Sequence, residues 1–167
     1  MRKDLWLFLT KLAVVTVVLG LAWFWWFKLQ YPRLLQPIGN VVLPWLGAHK
    51  WQLSWTLEHM SNMVSYLALV LATPEIGRRW REVLRALYIG LPIMVLVHLL
   101  MLAAFDHIIS RWGLSEITYR WAVPIWVVND ALPLILWLLL LPEVLTELFP
   151  RLRSGGLSRQ VGKNTRE

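Results

Sequence analysis

Four apolar stretches, over 5–27, 58–73, 83–105 and 119–141, constrain this chain more than any motif in it. A helix rises 1.5 Å per residue, so about 20 apolar residues cross a hydrocarbon core of about 30 Å. A backbone in that medium must satisfy its own hydrogen bonds, which selects helices. Hydrophobic residues make up 57% of the 167 positions and charged residues 16%, so lipid is the expected solvent. The expected fold is therefore an all-α membrane protein with about four transmembrane helices. A Trp-rich interfacial segment should lie between helices one and two. Residues 1–150 should form a single membrane domain. Residues 151–167, with Ser154, Gly155 and Gly156 near their start, should be a basic, disordered cytoplasmic tail.

The net charge of +7 would suggest nucleic acid in a soluble protein, but here the basic residues cluster at segment ends, as topology signals do. With the N-terminus inside, Arg2, Lys3, Arg78, Arg79, Arg81, Arg85, Arg151, Arg153, Arg159, Lys163 and Arg166 are cytoplasmic, eleven in all. Only Lys28, Arg33, Lys50, Arg111 and Arg120 then face outward. That asymmetry predicts a multi-pass protein of the inner membrane with both termini cytoplasmic. The chain has no cysteine, which excludes disulfides, thiolate metal sites and cysteine nucleophiles. The first apolar run lacks a small-residue cleavage pattern and reads as a retained anchor.

Within the first run, Lys11 lies near enough to one end to snorkel its ammonium to the surface, and Trp23, Trp25 and Trp26 close the run as an interfacial belt. Pro32, Pro37, Gly39, Pro44 and Gly47 then argue against a continuous helix, so 28–57 is expected to lie in or on the outer interface as short helical turns. A re-entrant hairpin or a short strand at 51–55 is the alternative. Trp45, Trp51 and Trp55 make this segment a candidate partner surface. The second run is short and carries Ser61, Asn62 and Ser65, so it must lean on other helices. A polar connection is expected over 108–120.

Asp130 is the first candidate for chemistry, because a carboxylate in the middle of the fourth run is expensive in lipid and should face protein. Asn129 stands beside it and Pro133 exposes backbone groups nearby. The structural reading is an Asp satisfied by a neighbouring helix, and the sharper one is a proton relay or catalytic base. His98 and Asn62 occupy the outer halves of the third and second runs and could converge with Asp130 in one polar pocket. Glu58 with His59 and Asp106 with His107 form two acid–histidine pairs at the outer surface. Neither has the spacing of a zinc site, and interfacial capping accounts for them, so no metal and no cofactor are expected. Arg78, Arg79, Arg81 and Arg85 anchor a cytoplasmic loop or hold lipid headgroups. No phosphate loop or nucleophile elbow is present.

The stretch Asn62 to Pro74 (NMVSYLALVLATP), followed by Arg78 to Leu84 and then Gly90-Leu91-Pro92, resembles the exosortase H-associated membrane protein family. The likeness covers about residues 5–142 and lies in composition and segment order. It implies an accessory role beside a transpeptidase that trims and sorts surface proteins. Exosortases use Cys, Arg and His; lacking cysteine, this chain cannot carry out that chemistry, and no functional residue transfers. The leading expectation is a non-enzymatic membrane accessory or assembly subunit of a protein-sorting or surface-polymer export system. Its partners would be the bilayer and another membrane protein, not nucleic acid. The alternative is a membrane-embedded enzyme or small transporter acting on a lipid-linked or peptide substrate through Asp130 and His98.

Overall fold

A computed structural model describes residues 2–48, 61–74 and 80–148. Among the described residues every regular element is helical: α1 (Arg2–Ala22), a π-helical turn (Trp23–Phe27), α2 (Lys28–Trp45), α3 (Asn62–Ala72), α4 (Trp80–Trp112), α5 (Glu116–Leu140) and α6 (Pro142–Leu148). Three segments are long and apolar enough to cross a membrane: Leu5–Trp45, Trp80–Trp112 and Glu116–Leu140. With 11 residues, α3 covers only about 16 Å and is too short to span alone. The expected start of that run, at 58–60, lies outside the described residues, as does the 151–167 tail.

The proline-rich segment departs from expectation. Residues 28–45 are not broken turns; they continue the first helix through the π turn, with Pro32, Pro37 and Pro44 inside α2. A proline's φ already suits a helix, and each removes one N–H while its ring crowds the carbonyl four residues back. The wider π turn, in which Lys28 N–H reaches the Trp23 carbonyl, sits where Pro32 needs that relief. Pro32, Leu35, Gly39 and Leu43 recur at helical spacing and form the buried stripe of α2, which lies against α4. Leu34, Ile38, Val41 and Trp45 form the exposed face, with Trp45 88% exposed. The helix stops at Gly47, whose φ of 71° suits glycine, and Ala48 N–H closes the end on the Leu43 carbonyl at 3.0 Å. From α4, His107 Nε2–H donates to the Leu46 carbonyl at 3.0 Å and so caps that helix end.

The connection expected over 108–120 also contracts. Helix continues to Trp112 and restarts at Glu116, so Gly113 to Ser115 alone make the turn. Gly113 has φ 63° and its N–H meets the Ile109 carbonyl at 2.8 Å, and the Ser115 side chain caps α5. Aromatic side chains hold the hairpin, with Phe105 against Trp126 at 6.0 Å and Trp112 stacked on Trp121 at 6.4 Å. These pairs make α4 and α5 antiparallel.

The short α3 is buried among α1, α4 and α5. Met63, Val64, Tyr66, Ala68, Val70 and Ala72 are all buried. Tyr66 passes over Gly90 and donates to the Ala86 carbonyl at 2.6 Å. At the other end of the same layer Trp137 stacks on Phe8 at 5.7 Å and donates its indole N–H to Thr73 Oγ1 at 3.1 Å. Thr73 in turn donates to the Leu69 carbonyl at 3.1 Å. This short, largely buried helix thus has its Tyr66 hydroxyl, and Thr73 at its end, hydrogen-bonded within the bundle.

Candidate functional site

The polar centre of the bundle starts from a backbone defect. In α5 the carbonyl of Asn129 would accept from the N–H of residue 133, but that residue is Pro133 and has none to give. Asn62, the first residue of α3, fills the gap: its Nδ2 donates to the Asn129 carbonyl and to Asn129 Oδ1, each at 2.9 Å.

That pair of donations fixes the rest of the chain of bonds. With Nδ2 committed to a backbone carbonyl, which can only accept, Asn62 Oδ1 must be the atom facing His98. It accepts from His98 Nε2–H at 2.9 Å. His98 is therefore the Nε2–H tautomer, and its Nδ1 is the acceptor for the Tyr31 hydroxyl at 2.7 Å. Tyr31 also meets the His98 ring edge-on at 5.8 Å and packs against Trp23 at 5.6 Å. Asn62, His98 and Asn129 are 5%, 0% and 1% exposed. Hydrogen bonds thus run from α2 through α4 and α3 to α5, with donors and acceptors matched at every link.

The structure brings Asn62 and His98 together, as the sequence suggested. Asp130 is not with them: it lies on the exposed face of α5, and Asn129 takes the inward position. Successive helical residues are 100° apart, and with Asn129 turned inward Asp130 falls on the exposed side of α5. The amide wins the interior because Pro133 leaves a carbonyl there that Asn62 closes. Tyr31 and Asn129 are the members that sequence reasoning missed. The Asn129–Pro133 spacing of four was the available signal for one of them; Tyr31 lay in a segment read as short, broken turns at the interface.

The other candidates are dispersed. Trp45, Arg81 and Arg85 are exposed, whereas Trp51, Trp55, Arg78, Arg79, Glu58 and His59 lie outside the described residues. A groove of about 390 Å³ between α1 and α3 is lined by Thr16, Gly20, Trp23, Lys28, Ser61 and Ser65, and none of the four bonded residues opens onto it. Lys28 rests over the Phe24 ring at 5.2 Å. What the buried chain of bonds can do chemically is to fix helix register: each interhelical bond contributes about 0.6 to 2 kcal/mol in a membrane. In comparisons with known proteins, no family model, curated protein or solved structure matches the chain.

Proposed function

We propose that this chain is a non-enzymatic accessory or assembly subunit of the inner membrane, crossing it four times with both termini cytoplasmic. The observation that carries this reading is the saturation of His98. Both ring nitrogens are engaged, one by Tyr31 and one by Asn62, and the ring is 0% exposed. A general base needs a free nitrogen within reach of substrate, and this one has none. Asp130 points away from the histidine it would have to assist.

The exposed apolar face of α2, ending in Trp45, supports an outer surface for another membrane protein. The likeness in residues 62–92 to exosortase H-associated proteins supplies the setting, a sorting system in which a cysteine-bearing partner performs the transpeptidation.

Complementation of a deletion strain tests the proposal. His98→Gln and Asp130→Asn should lower function only as far as they lower the amount of protein in the membrane. Full abundance with abolished function in either variant would favour an enzyme or transporter instead. Affinity capture in native detergent should yield a cysteine-bearing membrane enzyme in stoichiometric amounts.

A further inference from the structure

Two opposite charges sit on outward faces of the spanning helices with no described residue to neutralise them. Asp130 is about 21 Å along α5 from Glu116 and about 15 Å from Leu140, so its short side chain reaches neither end. It is exposed, as are Val123, Val127 and Leu134 on the same face. Arg33 is exposed on α2 beside the stripe of Leu34, Ile38 and Val41. Neither Arg33 nor Asp130 has an ion pair or hydrogen bond with another described residue. An ionised group among acyl chains is costly, by about 2.5 to 3.5 kcal/mol for Asp or Arg at a helix centre on insertion scales, and pairing removes much of that penalty.

We infer that two copies of this chain associate in the membrane through an ion pair between Arg33 of one and Asp130 of the other. The buried hydrogen bonds give the depth. Tyr31 on α2 and Asn129 on α5 are joined through His98 and Asn62. Arg33 lies two residues beyond Tyr31, and Asp130 one residue beyond Asn129 on the opposite side of that layer.

Direction completes the match. Helix α2 runs parallel to α4, since Tyr31 meets His98 and Leu46 meets His107, and α4 is antiparallel to α5. Side chains lean toward the N-terminus of their own helix. Arg33 and Asp130 therefore lean toward each other along the helix axes when copies stand side by side. Apolar stripes flank both charges, so helix packing accompanies the pair.

Two other described cations already have partners. Lys28 is occupied by Phe24 and Arg120 by Glu116. The inference assigns the Leu34 to Val41 part of the α2 face to a second copy and leaves Trp45 for the accessory contact proposed above.

Fluorescently labelled chains reconstituted in dilute liposomes test it by energy transfer between copies. Wild-type protein should associate, and Arg33→Glu and Asp130→Arg should each weaken self-association about tenfold or more, because each places like charges opposite one another. Mixed together, those two variants should associate as wild type does, since both cross-pairs become opposite in charge. Recovery in the mixture shows that each variant still folds. Three results overturn the inference: a wild-type chain that stays monomeric, charge-reversal variants that self-associate normally, or a mixture that fails to recover. A synthetic polyleucine helix with one central lysine serves as a further probe; if it binds through Asp130 while the chain remains monomeric, the occupant of this face is a different protein.

Discussion

Tyr66 and Gly90 occupy one space: the Tyr66 hydroxyl crosses directly over the Gly90 Cα on its way to the Ala86 carbonyl, 2.6 Å away. A Cβ at position 90 would overlap the hydroxyl and the ring carbon that bears it, and its nearest approach to Cε1 would be 2.8 Å. The glycine is required for close approach of α3 to α4, since its φ is ordinary for a helix. Tyr66 is 0% exposed, so it has little room to withdraw.

Gly90→Ala should therefore destabilise the bundle by about 1 to 3 kcal/mol despite alanine's better helix propensity. Thermal unfolding in detergent measures this. In a Tyr66→Ala background the same substitution should be close to neutral or stabilising, because the obstructing ring is gone. Equal penalties in both backgrounds would mean that the two residues do not meet.

Asn62 and Pro133 should be coupled in the same way. Asn62→Leu removes the donor to the Asn129 carbonyl and should destabilise by about 1 to 3 kcal/mol. Pro133→Ala returns a backbone N–H to that carbonyl. With it in place, the penalty of Asn62→Leu should shrink by about 1 kcal/mol, though His98 still loses its acceptor. A double-mutant cycle on detergent unfolding reads the difference.

His98→Phe fills the volume but leaves the Tyr31 hydroxyl and Asn62 Oδ1 without their present partner. The expected loss is about 2 to 4 kcal/mol, enough to lower the amount of protein in the membrane several-fold. Adding Tyr31→Phe should recover part of it, since one of the two orphaned groups is then removed. Quantitative blotting of membrane fractions checks both variants.

Trp137→Phe separates two roles of one side chain. Stacking on Phe8 is retained in kind, whereas the indole N–H bond to Thr73 is lost, so the expected destabilisation is about 1 kcal/mol. Trp137→Ala removes both and should cost about 3 to 5 kcal/mol. A similar value for the two variants would assign the whole effect to the hydrogen bond.

How the sequence foreshadowed this arrangement differs residue by residue. The runs at 83–105 and 119–141 announced α4 and α5 through length and hydropathy alone, because a long oily stretch in lipid has one economical conformation. The run at 5–27 was equally legible, but its continuation to Trp45 was not. Pro32, Pro37 and Pro44 are helix breakers by local rule, and only a π turn upstream together with a buried stripe against α4 makes them tolerable. Local propensity is a property of neighbours in sequence, whereas that compensation comes from neighbours in space.

The site divides along the same line. That His98 and Asn62 would seek one another followed from polar groups having nowhere else to go in an apolar medium. The sequence reading set Asp130 with them and the structure sets Asn129 there, since both are polar and adjacent, and a rotation of 100° about the α5 axis exchanges them. Sequence by itself determined the solvent, the helical class and the list of polar residues that must be satisfied, because those depend on transfer free energies of individual residues. Tertiary structure alone decided the rotation of each helix, and hence that Pro133 turns a carbonyl toward Asn62 while Asp130 is left facing outward, because rotation is set by packing summed over every contact at once.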